Sequence, residues 1–365
     1  MNTENNQPLP PRPVLGGSPV AAPVPVATPQ PQIITAADAP PPAKTLFAEA
    51  YETVQKIVSS YDSVMVGQTR LKESLLIGLL ANGHILLESV PGLAKTTAAH
   101  TIASSMGGKF SRIQCTPDLL PSDIIGTEIY NPKTGDFSTE LGPVHSNFVL
   151  LDEINRSSAK TQSAMLEAMQ ERQTSIAGIN HKLPAPFLVI ATQNPIEQEG
   201  TYQLAEAQLD RFFIKETLTY SNHEEELEML KRYETGQLNQ KVTPVVTVED
   251  VLKVQKAVSH VHIEEAIQAY IVNLVQATRQ IEKFLGADVA SYVEYGASPR
   301  ASLALLSGAK ASAFLRGREE VIPEDVKNIA GRVLNHRIVL KYNAYTQNVT
   351  SEDIVQKLLS TIPSP

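Results

Sequence analysis

Short apolar runs alternate with amphipathic stretches through the middle of the chain, and no other feature of the sequence restricts the fold as strongly. Five runs have the length and composition of buried strands, namely 84–89, 109–116, 148–152, 187–192 and 212–218. Apolar residues at helical spacing precede and separate these runs, near 46–60, 68–81, 95–106 and 159–172. Strands that alternate with helices predict an α/β fold in which a parallel sheet lies between layers of helices.

The chain divides into three segments of different composition. Residues 1–45 contain 12 of the 25 prolines and only four charged residues, which predicts a disordered, proline-rich arm. Residues 46–220 carry the alternating pattern and are predicted to form the α/β domain. The strand signals stop after residue 220. Helical patterns near 222–235, 247–258, 263–284, 298–317 and 323–335 then predict an all-helical second domain over 221–365.

Composition and charge exclude several classes of protein. The single cysteine, Cys115, rules out an internal disulfide framework and a multi-cysteine zinc site. No apolar run reaches the roughly 18 residues needed to span a bilayer, and the N-terminus lacks the basic region of a secretory signal. We therefore expect a cytoplasmic protein without a membrane span. The net charge of −8 disfavours a protein that coats nucleic acid.

Residues 84–97 form the strongest local signal, because a strand is followed there by a loop of small residues and a helix that opens with Lys-Thr. In such a context, backbone N–H groups of the loop and of the helix N-terminus point at phosphate oxygens. Lys95 would neutralise those oxygens and the Thr96 hydroxyl would ligate Mg²⁺, so ATP and Mg²⁺ are the expected ligands. The predicted phosphate-binding segment comprises Ser89, Val90, Pro91, Gly92, Leu93, Ala94, Lys95, Thr96 and Thr97. Ser89 and Ala94 stand where the usual pattern has glycine, so a chance helix start is the alternative for this segment taken alone.

Two acids follow the apolar run at 148–151. A parallel strand presents its carboxyl end to the ligand crevice. Asp152 is therefore predicted to hold Mg²⁺, and Glu153 to polarise the attacking water. Paired acids after a strand also occur as helix caps, which is the structural alternative.

Three further polar residues occupy positions where they could reach a nucleotide. Asn194 follows the run 187–192 and could orient water against the γ-phosphate. Arg211 precedes the last strand, from which a guanidinium could reach the γ-phosphate of a neighbouring subunit. Ser298 and Pro299 predict a helix start that carries Arg300, which could sense nucleotide from the second domain. Taken singly, each also fits an ordinary turn or surface residue.

Together these signals resemble, in their order along the chain, those of AAA+ ATPases. The residues within each motif resemble those of the MoxR family. The resemblance covers roughly 46–345. It is carried by Val90-Pro-Gly-Leu-Ala-Lys-Thr96, Leu150-Leu-Asp-Glu-Ile-Asn-Arg156, Ala191-Thr-Gln-Asn-Pro195, Glu199-Gly-Thr-Tyr-Gln-Leu-Ala-Glu-Ala-Gln-Leu-Asp-Arg-Phe212 and Gly296-Ala-Ser-Pro-Arg300. It implies an AAA+ P-loop NTPase core with a parallel five-stranded sheet between helices, followed by an all-helical lid domain.

The resemblance also implies a role for each candidate residue. Lys95 and Thr96 match the Walker A pair, Asp152 and Glu153 the Walker B pair, Asn194 sensor 1, Arg211 the arginine finger and Arg300 sensor 2. Arg156 is a second candidate for the arginine that acts on a neighbour. Ala94 is similar to the family's own variant, whereas Ser89 departs from the family's glycine. A left-handed backbone at this position would strain a serine and could alter nucleotide affinity or turnover.

Two hairpin insertions are implied by the resemblance, at 126–142 and 173–183. The segment Asn131–Gly135 independently favours a turn between short strands, and Gly178 stands near the second turn. In similar ring ATPases such hairpins face the pore or the client protein. Client contact is therefore expected, with ordinary surface hairpins as the alternative.

The function implied by the resemblance is Mg²⁺-dependent ATP hydrolysis in a homo-oligomeric, hexameric ring. Such a ring would remodel or mature client proteins, including metal or cofactor insertion, with a von Willebrand factor A domain protein as a separate partner. Two alternatives stay open. A nucleotide-gated scaffold with little hydrolysis is suggested by Ser89 and opposed by Glu153 and Asn194. An AAA+ nucleic-acid motor shares the core signals, but the net charge of −8 and the lack of a basic run oppose it.

Overall fold

The structure, a computed structural model, describes residues 43–195, 201–237 and 241–365. The proline-rich arm predicted for 1–45 lies outside the described residues as far as residue 42. Helix α1 begins at Ala43, three residues earlier than the helical pattern at 46–60 indicates. No helix within the described ranges has both the length and the apolar character needed to cross a membrane.

Strands and helices alternate along the described residues as the sequence predicts. In chain order the strands are β1 (Ile85–Glu88), β2 (Phe110–Gln114), β3 (Gly126–Asn131), β4 (Asp136–Leu141), β5 (Phe148–Asp152), β6 (Gln173–Ile176), β7 (Ile179–Lys182), β8 (Leu188–Gln193), β9 (Ile214–Thr217), β10 (Val293–Tyr295) and β11 (Val339–Leu340). The helices are α1 (Ala43–Val64), α2 (Thr69–Leu80), α3 (Lys95–Ser105), α4 (Pro121–Ile125), α5 (Ala159–Glu171), α6 (Glu206–Leu209), α7 (His223–Glu234), α8 (Val248–Ser259), α9 (Glu265–Arg279), α10 (Ile281–Leu285), α11 (Ala287–Ala290), α12 (Pro299–Leu315), α13 (Pro323–Leu334), α14 (Tyr342–Thr346) and α15 (Ser351–Thr361).

The central sheet has five strands in the order β2-β5-β8-β1-β9, and every neighbouring pair is parallel. The α/β core with a parallel five-stranded sheet is therefore confirmed. Strands β5 and β8 are almost entirely buried because helices cover both faces of the sheet. Their carboxyl ends lie at one edge, where Gln114 of β2 stands opposite Asp152 of β5 and Glu88 of β1 stands opposite Gln193 of β8.

Two antiparallel hairpins project from the core. Strands β3 and β4 pair from Gly126↔Leu141 to Asn131↔Asp136, and β6 pairs with β7. The β3–β4 hairpin is unusual because its large apolar side chains are exposed rather than packed inside. These are Ile129, Tyr130, Phe137 and Leu141, and the rings of Tyr130 and Phe137 lie 5.2 Å apart.

The second part of the chain is helical, and its predicted helix starts are confirmed. The hydroxyl of Thr247 accepts from the N–H of Asp250 at α8, the hydroxyl of Ser298 accepts from the N–H of Arg300 at α12, and Pro323 opens α13. The expectation of an all-helical domain needs one correction, because β10 and β11 pair as an antiparallel ribbon. The ribbon strands are three and two residues long, too short to produce an alternating pattern in the sequence.

Candidate nucleotide-binding site

The loop after β1 resolves the question of the two missing glycines. Ser89 is buried and extends β1, since its N–H donates to the carbonyl of Gln193 at 3.1 Å. The left-handed conformations fall instead on Gly92, with φ of 86°, and on Ala94, with φ of 53°. Ser89 is not among the described residues with positive φ. A serine therefore fits this position without backbone strain, whereas Ala94 carries the conformation that favours glycine.

A cavity of about 440 Å³ opens above this loop and the first turn of α3. Its wall contains the predicted phosphate-binding residues except Val90, together with residues at or just beyond the ends of β2, β5 and β8. The lining residues are Ser89, Pro91, Gly92, Leu93, Ala94, Lys95, Thr96, Thr97, Arg112, Gln114, Asp152, Glu153 and Asn194. Because α3 begins at Lys95, the first N–H groups of the helix have no intrahelical acceptor and carry the positive end of its dipole.

Lys95 is the cation that the sequence predicts for this cavity. Half-burial lowers the pKa of its ammonium group below the usual value, and the nearby carboxylates of Asp152 and Glu153 offset part of that shift. A partly desolvated ammonium with acids nearby is well suited to hold an anionic ligand, because its field is screened less than it would be in open water.

Asp152 ends β5 and is held from two sides. Its Oδ1 accepts from the hydroxyl of Thr192 at 2.8 Å, and its Oδ2 accepts from Arg112 at 3.2 Å from Nε and 2.6 Å from Nη2. A carboxylate has about four lone-pair sites, so Oδ1 keeps one for a cation. The neighbouring hydroxyl of Thr96 supplies a second oxygen, and oxygen ligands are those that Mg²⁺ prefers. The residues present therefore fit an Mg²⁺ ion and a polyphosphate.

Glu153 stands next to Asp152 in a left-handed conformation, with φ of 58°. Its N–H donates to the hydroxyl of Thr192 at 2.9 Å, which fixes the backbone. Its carboxylate accepts from Nε2 of Gln114 at 3.0 Å and lies 3.6 Å from Nη1 of Arg156. The acid that is predicted to activate water is thus held at a defined position within the cavity.

Three residues of this site escaped the sequence reasoning, namely Arg112, Gln114 and Thr192. Arg112 and Gln114 are two residues apart on β2 and so point to one face of the sheet, where they contact Asp152 and Glu153. The alternation of polar and apolar residues over 112–115 was the available signal. Thr192 gave no signal, because a threonine within an apolar run is common in a buried strand.

The remaining predicted residues separate into two groups. Asn194, just beyond β8, is buried and lines the cavity together with Lys95. Arg156 ends the short 3₁₀ helix Ile154–Arg156 on the same side of the sheet. Arg211 and Arg300, in contrast, line a second cavity of about 320 Å³.

This second cavity lies at the opposite edge of the sheet. Gly83 and His84, which precede β1, form part of its wall. The N–H of Phe213, which precedes β9, donates to the carbonyl of His84 at 2.8 Å. At about 3.3 Å per residue, the strand from Gly83 to Ser89 spans about 20 Å. An arginine side chain is far too short to cross this distance, so the two arginines face away from the phosphate loop of their own chain.

The fold and the site define a class. A lysine at a strand–loop–helix junction, acids at the end of a neighbouring parallel strand and a helical lid are together the arrangement of an AAA+ P-loop protein. Two family matches agree with this class. Residues 84–214 match the "ATPase family associated with various cellular activities (AAA)", and residues 286–358 match the "AAA lid domain".

Whole-chain relatives narrow the class to a family. The chain is 46% identical over 328 residues to Chaperone MoxR1 of Mycobacterium tuberculosis, covering 90% of this chain and 86% of the relative. It is 44% identical to YeaC of Bacillus subtilis, covering 85% and 94%. A crystal structure of a candidate ATPase from Cytophaga hutchinsonii superposes with a TM-score of 0.84 at 46% identity, covering 88% of this chain and 98% of that one. The chain belongs to the MoxR family of AAA+ ATPases.

Proposed function

We propose that the protein hydrolyses ATP with Mg²⁺ in a homo-oligomeric ring and uses the reaction to remodel or mature client proteins. Family membership supports the ATPase, and the relative named Chaperone MoxR1 supports the chaperone role. One observation supports the proposed ring most directly. The phosphate loop and the pair Arg211 and Arg300 lie at opposite edges of the same sheet, which supports a site that takes residues from two chains.

Five residues of one chain would carry the chemistry. Lys95 would neutralise the phosphate oxygens. Thr96 and Asp152 would hold Mg²⁺, which withdraws charge from the phosphoryl group when bound. Glu153 would accept a hydrogen bond from the attacking water, and Asn194 would orient that water, because both line the same cavity as Lys95.

The neighbouring chain would contribute Arg211 and Arg300. Arg211 is exposed, and its guanidinium suits the charge that develops on a transferred phosphoryl group. Arg156 lies 3.6 Å from Glu153 of its own chain, so it is less suited to this role. Arg300 would join Arg211 rather than act on the nucleotide of its own chain.

The β3–β4 hairpin is our candidate for client contact. Its exposed Ile129, Tyr130 and Phe137 offer an apolar surface without a covering element among the described residues, and such patches mark interaction sites. A hexameric ring, a von Willebrand factor A domain partner, metal or cofactor insertion and a cytoplasmic location complete the proposal. The ring size, the partner and the metal or cofactor insertion rest on the MoxR-family resemblance.

The test is the ATP hydrolysis rate per subunit as a function of protein concentration. We expect the rate to rise with concentration, because sites are completed only on assembly. Glu153→Gln should lower kcat by at least about 100-fold, the usual contribution of a general base. Glu319→Gln, which removes an exposed lid carboxylate instead, is the matched control and should leave kcat unchanged.

Two results would contradict this proposal. A rate per subunit that is independent of concentration would exclude sites shared between chains. A background rate in the wild-type protein and in Glu153→Gln, with ATP still bound by both, would favour the nucleotide-gated scaffold.

A further inference from the structure

A single carboxylate, that of Asp210, joins the core to three groups of the lid. Its Oδ1 accepts from Nε of Arg337 at 2.8 Å, and its Oδ2 accepts from the hydroxyl of Ser298 at 2.9 Å. The same Oδ2 lies 3.7 Å from Nη1 of Arg300. Asp210 directly precedes Arg211 in the chain. Asp210 therefore contacts Arg300 and adjoins Arg211, the two arginines that line the second cavity.

Arg337 fixes the backbone on both sides of Arg211. Its side chain is only 3% exposed. Its Nη2 donates to the carbonyls of Asp210 at 3.2 Å and Phe212 at 2.6 Å, and its Nη1 donates to the carbonyl of Phe213 at 3.2 Å. A planar guanidinium with several bonds in fixed directions allows little freedom to the segment that it holds. The turn that presents Arg211 is therefore built by a residue of the lid.

Asp210 and Arg337 line the second cavity, at the opposite edge of the sheet from the phosphate loop. Their contacts therefore cannot act on a nucleotide bound at the phosphate loop of their own chain. The pair is also unlike an ordinary surface ion pair. One partner is buried. Arg337 bonds the carbonyls of Asp210 and Phe212 on either side of Arg211, and Asp210 also contacts Arg300. Such convergence is what holding two guanidinium groups in a defined geometry requires.

We propose that Asp210 and Arg337 are positioning residues through which the lid of one subunit sets the geometry of Arg211 and Arg300 for the active site of the next subunit. The proposal rests on the proposed function, since it assumes that the two arginines act on a neighbour. A displacement of about 1 Å can cost about 100-fold in rate. Asp210→Asn should therefore lower kcat by about 100-fold and change the KM for ATP little, because the phosphate loop is untouched.

Mixing two inactive variants tests this positioning role. Asp210→Asn subunits keep Glu153, whereas Glu153→Gln subunits keep correctly held arginines. In randomly mixed rings about a quarter of the sites combine an intact Glu153 with intact arginines from the neighbour. We expect an equal mixture to regain about a quarter of the wild-type rate, far above the sum of the two separate variants.

Two controls separate the possible failures. Arg211→Ala mixed with Glu153→Gln tests the shared site itself, and if this mixture gains nothing, the proposed function fails. If it regains activity and the Asp210→Asn mixture does not, the positioning role is overturned. Glu73→Gln removes another contact between core and lid, 2.7 Å from Glu73 Oε2 to Arg332 Nη2 and outside both cavities, and should keep its kcat within about twofold.

A second variant covers the case in which Asp210→Asn does not fold. Arg337→Lys keeps the positive charge but loses the fork that holds the three carbonyls. We expect the same fall in kcat and the same recovery on mixing with Glu153→Gln. A folded Arg337→Lys protein with wild-type kcat would overturn the proposal.

Discussion

At position 94 an alanine adopts a backbone conformation that usually belongs to glycine, and at position 89 a serine does not. The left-handed region costs a residue with a side chain about 1–2 kcal/mol. Ala94 bears this cost at the first residue before α3, where it and the first residues of the helix line the cavity. Ser89 instead continues β1 and bears none.

Replacing each residue with glycine should thus change stability in opposite directions. Ala94→Gly should raise the free energy of unfolding by about 0.5 kcal/mol, because the strain that it relieves exceeds the added freedom of the unfolded chain. Ser89→Gly should lower it by about 1 kcal/mol, because the unfolded chain gains freedom and the bond from the Ser89 hydroxyl to the carbonyl of Val90 at 3.1 Å is lost. Urea unfolding of both variants beside the wild type measures the difference. A rise in both would mean that position 89 is strained after all.

Among the elements, β1 depends on a histidine that must remain neutral. His84 precedes the strand and is buried. Its Nδ1 accepts from the N–H of Val189 at 3.0 Å, and its Nε2 lies 3.1 Å from the carbonyl of Met169. Burial, reinforced by the nearby charge of Arg172, lowers the pKa of His84 to about 3. Protonation would break the bond to Val189 and place a charge between β1, β8 and α5.

The stability of the protein should therefore fall as the solution becomes acidic. The unfolded chain binds a proton at His84 below its ordinary pKa of about 6.5, whereas the folded chain does not, so this contribution is complete above that pH and is lost below it. Between pH 7 and pH 5 the loss amounts to about 2 kcal/mol. Urea unfolding of His84→Gln at both pH values should show a difference smaller by about that amount. An unchanged difference would mean that His84 is not the group responsible.

The elements that the sequence predicted are those whose signals are local. Each strand of the central sheet and the starts of α8, α12 and α13 follow from periodicity or from a capping residue within a few positions. The ribbon of β10 and β11 joins strands that lie more than 40 residues apart, and nothing near either strand indicates the other. The same reason applies to the site. The neighbouring sequence predicts the roles of Lys95 and Asp152. The roles of Arg112 and Asp210 follow only from their contacts in the folded structure.

At the scale of the whole molecule, the core and the lid are joined by a buried ionic contact. Glu216 of β9 is inaccessible to solvent, and its Oε2 lies 2.8 Å from Nε of Arg332 in α13. The hydroxyl of Ser74 in α2 donates to the same oxygen at 2.7 Å. One apolar cluster also extends from Val54 of α1 and Leu75 of α2 to residues of the lid. We therefore expect the core and the lid to unfold together.

Removing the charge of Glu216 tests this expectation. Glu216→Gln leaves the buried guanidinium of Arg332 with one fewer anionic partner, and breaking a buried pair costs about 3–5 kcal/mol. We expect thermal unfolding to remain a single transition at a lower temperature, followed by circular dichroism and by hydrogen exchange of core and lid amides. Two separate transitions would show that the lid unfolds independently of the core.

The opposed edges of the sheet limit how copies of this chain can combine. A two-fold axis that brought the phosphate-loop edges of two copies together would complete neither site, so the proposed sharing of sites requires head-to-tail contact. In an open head-to-tail row, the arginines of the copy at one end contact no nucleotide. The nucleotide site of the copy at the other end lacks arginines from a neighbour, so each row contains one incomplete site. A closed ring has no incomplete site, because each chain then has a neighbour on both sides. Under the proposed function, the active unit of the assembly is the interface between two neighbouring chains, and we expect the ATPase rate to scale with the number of such interfaces.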